Sequence, residues 1–393
     1  IVKFLDSHLL SSDETNTSSE ILVSSFSFCI LPLVQQVQSK VRRRRRSKQM
    51  TTKFKLIPII DISPLVAGID DPKLAEDFDV QQVVEQLDTA CREAGFFYVV
   101  ILFPRLLFHA ASPMDDYSPQ RGHGIPDSLL EQVRTISHSF FDLPDAEKIK
   151  IKMTPATGYR GYQKIGENVT QGSPDMHEAI DCYKEFNPGM YGSLGKLLEG
   201  YNLWPLEPRS TKAVMEDYIN VCTDLSRKIM KGISLALTGT SDVLEHSIAS
   251  DPFWVLRIIG YPNLPSDHSR IGCGAHTDYG LLTLVNQDND ITALQVRNVS
   301  GEWIDAPPVP GTLVCNIGDM LKIWSNGIYE STLHRVVDVR SKYRVSVAYF
   351  YEPNYDAAVE PFPVCLHKSG GVRKFDAAVY GDHLARKVLT NFI

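Results

Sequence analysis

Gly274-Ala-His276-Thr-Asp278-Tyr-Gly280 is the stretch of this chain that does most to decide its fold. His276 and Asp278 are separated by one residue, so their side chains would leave the same face of an extended strand and bind one cation. A second histidine, His334, follows later in the chain. Two neutral imidazoles and one carboxylate make the facial triad of non-haem Fe(II) oxygenases. The pattern predicts an iron site at these three residues, with coordination positions open to other ligands.

The stretch Tyr343-Arg-Val-Ser-Val-Ala-Tyr-Phe-Tyr351 strengthens this interpretation, because an isolated His-x-Asp is common by chance. Arg344 and Ser346 lie in its apolar alternation and would point to the same side. An arginine that points inward is unfavourable unless it meets an anion. A carboxylate bound by the guanidinium and the serine hydroxyl would meet that requirement. The two positions therefore predict a dicarboxylate cosubstrate beside the iron.

Further motifs run from about Pro58 to the C-terminus. They are Gly95-Phe-Phe-Tyr-Val99, Gly122-His-Gly-Ile-Pro126, Gly158-Tyr-Arg-Gly-Tyr162, Tyr261-Pro262, Asn316-Ile-Gly-Asp319 and Glu352-Pro-Asn354. With the five residues above, the chain resembles the plant 2-oxoglutarate- and Fe(II)-dependent dioxygenases of the isopenicillin N synthase-like superfamily. Three stretches resemble the homoarginine 6-hydroxylase branch most: Gly166-Glu-Asn-Val-Thr170, His276-Thr-Asp-Tyr-Gly-Leu-Leu282 and Tyr349-Phe-Tyr-Glu-Pro-Asn-Tyr355.

The resemblance implies a mainly β fold with flanking helices, in which a distorted double-stranded β-helix (jelly roll) core accompanies a helical N-terminal region. Hydrophobic periodicity supports this independently. Short apolar or alternating runs between turn residues predict strands over residues 253–259, 281–285, 293–296, 313–317 and 344–351. Apolar residues at helical spacing predict core-facing helices over residues 80–94, 129–140 and 214–229.

The resemblance also implies the cofactors and the residues around them. Fe(II) would be held by the triad, and 2-oxoglutarate would be bound by four residues: Arg344, Ser346, Tyr261 and Arg257. O2 would be the oxidant and ascorbate the reductant, and succinate and CO2 would be released as the substrate is hydroxylated. Asn316 and Leu281 are expected to support the ligands from behind, with plain packing as the alternative for both.

The substrate is expected to be a small molecule, namely homoarginine hydroxylated at C6 or a related basic amino acid. A guanidinium group needs a carboxylate, and the residues that match substrate-contacting sequence in arginine-binding relatives or lie near it are Glu167, Thr170, Tyr279, Glu178 and Asp181. Surface exposure is the ordinary alternative for any single acid. An arginine of those relatives falls near Thr390 here, which leaves open how an amino-acid carboxylate is held. A phenolic or hormone substrate, or a catalytically silent jelly-roll protein, are the alternative functions.

The composition of the 393 residues bounds the other possibilities. Seven cysteines without a Cys-x-x-Cys pair argue against a disulfide framework and favour a reducing compartment, so a cytoplasmic location is expected. The net charge is −7 and residues 1–49 are basic, which leaves an acidic body without a face for nucleic acid. The apolar run near the N-terminus is too short for a membrane span. A monomer that acts on a small molecule is expected.

Two segments fall outside the family pattern. Residues 1–49 are serine-rich and end in an arginine run, and we interpret them as a disordered tail of translated upstream sequence, with a plastid transit peptide as the alternative. Residues 100–121 separate two motifs that adjoin in relatives. We interpret them as retained intron sequence that projects from the fold. In the alternative of a catalytically silent protein, this insert would impair folding. The predicted organisation is a tail over 1–49, a helical dioxygenase region over 50–250, the iron and 2-oxoglutarate jelly roll over 251–355, and a C-terminal segment over 356–393.

Overall fold

A computed structural model describes residues 54–100, 124–263, 271–337 and 342–391 of the chain. All of these residues fall within one unit of the chain. The N-terminal tail and nearly all of the interrupting segment lie outside the described residues. The expectation that both project from the fold therefore stays a prediction.

Helices make up much of the first part of the described chain and return at its C-terminal end. The α-helices are α1 Ser63–Ala67, α2 Phe78–Glu93, α3 Asp127–Phe141, α4 Asp145–Lys148, α5 Gly192–Gly195, α6 Thr211–Thr238, α7 Val243–Ile248, α8 Asp319–Trp324, α9 Pro363–Lys368 and α10 Tyr380–Asn391. Short 3₁₀ turns lie at Leu74–Glu76, Ile149–Ile151, Pro155–Thr157 and Lys196–Leu198. The three helices predicted from apolar spacing are confirmed by α2, α3 and α6.

The strands group into two main sheets and two short pairs. Their bounds are β1 Ile59–Asp61, β2 Phe96–Val100, β3 Gly161–Gln163, β4 Val169–Thr170, β5 Ser173–Pro174, β6 Glu178–Tyr183, β7 Trp254–Tyr261, β8 Ile271–His276, β9 Leu282–Gln287, β10 Leu294–Arg297, β11 Trp303–Asp305, β12 Leu313–Ile317, β13 His334–Val337, β14 Arg344–Tyr351, β15 Ala358–Val359 and β16 Ala378–Val379. The larger sheet has the order β1-β2-β12-β9-β14-β7-β6-β3, and the smaller has the order β11-β10-β13-β8. The short pairs are β4 with β5 and β15 with β16.

The chain alternates between the two main sheets from β8 to β14. Strands β8, β10, β11 and β13 belong to the smaller sheet, whereas β9, β12 and β14 belong to the larger. This alternation is the winding of a double-stranded β-helix, so the predicted jelly-roll core is confirmed. Helices α3 and α6 contact β9 and β14, and α2 contacts α6. The helical region therefore packs on the larger sheet and covers one of its faces with the main hydrophobic core.

The five predicted strands all correspond to strands of the two main sheets, but other strands were not predicted, among them the apolar β2 and the more polar β6. The predictions over residues 313–317 and 344–351 coincide with β12 and β14. Strand β6 was not predicted, because its glutamate and aspartate suggest an exposed segment. All six residues of this strand are buried. The geometry expected around the His-x-Asp motif also needs a correction. Strand β8 ends at His276, so Asp278 lies beyond the strand end and reaches the site from the following loop.

Candidate metal centre and active-site cavity

A cavity of about 360 Å³ is lined by β7 and β14 of the larger sheet and by β8 and β13 of the smaller. Along β14 the residues that line it are Arg344, Ser346, Ala348 and Phe350. The residues between them belong to the main hydrophobic core, because successive side chains of a strand point to opposite faces. The pairing of β14 with β7 sets Arg344 opposite Tyr261 and Ala348 opposite Arg257, so both strands present polar groups to one space.

The two histidines of the motif come together through strand pairing. His334 lies opposite His276 in the ladder between β13 and β8, and their ring centroids are 4.3 Å apart. Nδ1 of His276 lies 2.8 Å from the carbonyl oxygen of Gly274, and Nδ1 of His334 lies 3.1 Å from that of Thr332. When Nδ1 donates to a carbonyl, Nε2 keeps its lone pair, which is the tautomer that binds metal.

Asp278 completes the cluster with one oxygen and is held by the other. Its Oδ1 lies 3.7 Å from Nε2 of His276 and 3.6 Å from Nε2 of His334. Its Oδ2 accepts hydrogen bonds from Thr283 Oγ1 and Asn316 Nδ2, each 2.6 Å long. Burial alone would raise the pKa of Asp278, but the two imidazoles and these two hydrogen bonds together hold that pKa below its usual value. The aspartate is therefore ionised and oriented with Oδ1 toward the histidines.

The donor set fits Fe(II). The ligand atoms of His276, Asp278 and His334 all lie within 4.8 Å of one another. Ligands about 2.1 Å from one cation are separated by about 3 to 4 Å, which matches the distances from Asp278 Oδ1 to the two histidine Nε2 atoms. Two imidazoles and one carboxylate are the donors of the facial triad, and three protein ligands leave positions for further oxygen donors.

Arg344 is a buried cation in the same cavity, and its hydrogen-bond donors are only partly satisfied. Its side chain is only 1% exposed, and Nη2 donates to Gln287 Oε1 at 2.8 Å. Nε and Nη1 have no hydrogen-bond acceptor in the described part of the chain. The ring of Tyr261 lies beside the guanidinium, with its centroid 4.9 Å from Cζ. The residues therefore fit the distant carboxylate of 2-oxoglutarate, which would supply the missing acceptors while Ser346 and Tyr261 offer hydroxyl groups from the same wall.

Arg257 also lines the cavity but is held by protein groups. Its Nη2 lies 3.1 Å from Nε2 of His177, and its Nε lies 3.5 Å from Oδ1 of Asp181. His177 Nδ1 lies 2.8 Å from the carbonyl oxygen of Gly272, so Nε2 accepts from Arg257. Burial and the neighbouring Arg257 lower the pKa of His177 to about 4, which keeps the imidazole neutral. These contacts fix the guanidinium of Arg257 at the cavity wall.

The predicted substrate residues divide into two groups. Thr170 and Tyr279 line the cavity. Glu167 does not line it; its carboxylate pairs with Lys152 at 2.9 Å and is partly exposed. Glu178 is buried away from the cavity, where it accepts from Lys148 at 2.8 Å and from two tyrosine hydroxyls.

Asn316 and Leu281, the two residues expected to support the ligands, lie in different environments. Asn316 bonds to Asp278 as described above and lines the cavity. Leu281 is fully buried in the main hydrophobic core and is not among the cavity-lining residues. Leu281 therefore has the alternative role, which is packing in the hydrophobic core.

Several polar groups of the cavity were missed in the sequence because nothing local marks them. Those that line the cavity are Asn168, Gln171, Thr283, Lys387 and Asn391. Asp175 lies behind this wall, where its carboxylate accepts from Asn168, from Thr170 Oγ1 at 2.7 Å and from the Gly274 amide at 2.8 Å. Asp175, His177 and Cys273 form a second compact group of potential ligands. Since the aspartate and the histidine nitrogens are already engaged, this group serves as a wall of the cavity.

Family models match two parts of the chain. Residues 250–353 match the 2OG-Fe(II) oxygenase superfamily, and residues 121–207 match the N-terminal region described as non-haem dioxygenase in morphine synthesis. The first match covers the triad and Arg344, which all line the cavity.

Relatives named as homoarginine-6-hydroxylases match over almost their whole length. A protein of Glycine max named homoarginine-6-hydroxylase is 59% identical over 350 residues, which cover 88% of this chain and 99% of the relative. One of Oryza sativa subsp. japonica with the same activity name is 59% identical over 348 residues and is covered completely. Among solved structures, a full-length Neurospora crassa protein in complex with alpha-KG and 5-formyluracil aligns with a TM-score of 0.68 and 26% identity. That alignment covers 88% of this chain and 100% of the Neurospora crassa chain.

Proposed function

Because this chain belongs to the 2-oxoglutarate- and Fe(II)-dependent oxygenase superfamily, we propose that it hydroxylates homoarginine at C6. It is an enzyme of the 2-oxoglutarate-dependent dioxygenase class, and its cofactors are Fe(II) and 2-oxoglutarate. The substrate assignment rests on the 59% identity to homoarginine-6-hydroxylases over almost their whole length. The balanced reaction converts substrate, O2 and 2-oxoglutarate into hydroxylated substrate, succinate and CO2.

We assign the protein groups as follows. His276, Asp278 and His334 would hold Fe(II), and Arg344 with Ser346 would hold the distant carboxylate of 2-oxoglutarate. When bound, the metal and its cosubstrate supply O2 activation and the two-electron oxidation of a C–H bond. The protein orients these groups and excludes water: Asp278 is 6% exposed and Arg344 is 1% exposed.

The wall formed by Thr170 and Asn168 is the place we propose for the guanidinium group of homoarginine. Both residues line the cavity and both donate to the carboxylate of Asp175 behind them. Among the described residues that line the cavity, Asp278 is the one carboxylate, and it is assigned to the metal. A guanidinium at this wall would therefore be stabilised by the negative charge of Asp175 and by the neutral oxygen atoms in front of it.

The test is a coupled measurement of succinate and product. The purified protein, given Fe(II), ascorbate and 2-oxoglutarate, should release succinate with homoarginine and yield a product heavier by one oxygen. Arginine, lysine, a phenolic acid and a plant hormone serve as competing substrates under the same conditions. Faster turnover of a phenolic or hormone would overturn the substrate assignment while leaving the reaction class intact. A chain lacking residues 101–121 should be tested beside the full chain, since activity confined to the shorter chain would favour the silent alternative.

We also propose that the enzyme acts as a cytoplasmic monomer on a free small molecule, without nucleic acid or membrane. The six described cysteines are unpaired, which suits a reducing compartment. None of the helices in the described ranges combines the length and the apolar character that a membrane-spanning helix requires. Light scattering of the purified protein and the distribution of a fluorescent fusion would test the two parts of this proposal.

A further inference from the structure

The cations that line the cavity differ in whether each already has a partner for its charge. Arg344 is assigned to 2-oxoglutarate, and Arg257 is held between His177 and Asp181. Lys387 is the third lining cation, and within the described residues no carboxylate lies within 4.0 Å of its Nζ. An amino-acid substrate brings a carboxylate of its own into this space. The charge of that group requires a partner, because a desolvated carboxylate without one is strongly disfavoured.

Lys387 is positioned for this contact by the last helix. It lies on α10 with Asn391 one turn later, and both residues line the cavity. Nζ of Lys387 lies 5.1 Å from the centroid of the Tyr279 ring, and Asn391 Nδ2 donates to the Tyr279 hydroxyl at 2.7 Å. Tyr279 directly follows Asp278 in the chain, so this cation lies on the wall next to the candidate metal centre. Helix α10 also contacts β4, which carries Thr170.

We propose that Lys387 binds the α-carboxylate of the substrate and so selects free amino acids over analogues that lack this charge. The inference rests on the proposed function, because it assumes an amino-acid substrate. The carboxylate would then lie at α10, and the guanidinium would lie at the wall in front of Asp175. Holding the substrate at both ends fixes the position of C6, the side-chain carbon that is bonded to the guanidinium group.

The position of Lys387 suits it to bind a substrate carboxylate rather than to hold the fold together. Lys387 is half-buried, and its Nζ lies over the face of Tyr279, an interaction of modest strength at a partly exposed site. A carboxylate arriving beside Nζ would add a charge-assisted hydrogen bond without displacing an existing ion pair.

The test compares acid and amide ligands in the wild type and in Lys387→Met. Binding of homoarginine and of homoarginine amide to the enzyme loaded with Fe(II) and 2-oxoglutarate is measured by calorimetry without oxygen. The wild type should prefer the acid by about tenfold or more, since one charge-assisted contact at a partly exposed site is of that order. Lys387→Met should lose most of this preference, and Lys387→Arg should keep it. Arg386→Gln is the matched control, because Arg386 is an exposed cation of the same helix that does not line the cavity.

The outcomes separate the two proposals. If the wild type turns over homoarginine and Lys387→Met keeps the full preference for the acid, the role of Lys387 is overturned and the substrate assignment stands. If the wild type neither binds nor turns over homoarginine, the proposed function fails and the inference fails with it. A loss of acid preference in Arg386→Gln equal to that in Lys387→Met would also overturn the inference, since it would reflect the general charge of the helix.

Discussion

Thr283 and Asn316 face each other across the pairing of β9 with β12, and both donate to the same oxygen of Asp278. The strand register therefore places two donors on Oδ2 and leaves Oδ1 directed at the histidines. Neither residue would touch the metal. Together they set the orientation and the charge of the carboxylate that is assigned to it.

Removal of one of these donors should weaken metal binding without removing a ligand. Thr283→Val keeps the shape of the side chain and deletes one hydrogen bond to Asp278. We expect iron affinity to fall by roughly 10- to 100-fold, the range usual for groups that orient metal ligands. Titration with Fe(II) under anaerobic conditions measures it. Thr223→Val is the control, because Thr223 of α6 bonds to the hydroxyl of Tyr349 on β14 and does not line the cavity. Equal losses in both variants would contradict the role of Thr283.

Replacement of His334 by alanine should abolish iron binding and turnover while the fold persists. Two remaining ligands cannot chelate the metal in the facial arrangement. Metal content per chain after reconstitution, together with succinate release, gives the result. His246→Ala, which removes an exposed histidine of α7, should behave like the wild type. Turnover near the wild-type rate in His334→Ala at equal iron content would refute the assignment of the triad.

Arg344→Ala should raise the 2-oxoglutarate concentration needed for half-maximal rate by roughly 30-fold or more. The reason is that truncating one partner of a buried charge pair costs about 2–5 kcal/mol. Steady-state kinetics with 2-oxoglutarate as the varied substrate gives the value. Arg335→Ala is the control, since its guanidinium lies over the Trp303 ring, 4.1 Å from the centroid, and does not line the cavity. Unchanged 2-oxoglutarate saturation in Arg344→Ala would mean that the arginine is structural.

Gly280→Ala should destabilise the loop that carries Asp278. A Cβ at this position would overlap the carboxylate of Glu352, which is 2% exposed and therefore has little room to move. Overpacking of this kind costs about 1–3 kcal/mol and should lower both Tm and iron affinity. The double variant Gly280→Ala with Glu352→Ala removes the overlapping group and should recover part of the lost Tm. A single variant as stable as the wild type would contradict this account.

The ion pair between α3 and the end of β9 should make stability depend on pH. His138 Nε2 lies 3.0 Å from Asp288, and this hydrogen bond raises the pKa of His138 above its usual 6.5. Because the folded pKa is the higher one, the stabilisation is complete below pH 6.5 and is lost as the pH rises through the folded value. The Tm difference between wild type and His138→Gln should therefore be larger at pH 5.5 than at pH 9. His367→Gln, at an exposed site on α9, is the control variant.

The fold was predictable where the chain is locally periodic. The spacing of apolar residues shows directly which side of an element is buried. Examples are the alternation from Arg344 to Tyr351 and the helical spacing over residues 80–94. Strand β6 escaped detection because its burial depends on distant partners. Glu178 in that strand is buried and accepts hydrogen bonds from Lys148 and Tyr343, which approach it from other parts of the chain.

The candidate site shows the same division. The residue types alone specify the chemistry, because only a few residue types bind iron and a buried arginine requires an anion. Tertiary structure alone decided which polar residues meet that chemistry, because strand register and helix packing bring together groups far apart in the chain. It placed Thr283 and Asn316 on one oxygen of Asp278, kept Glu178 away from the cavity, and set Lys387 of the last helix beside Tyr279.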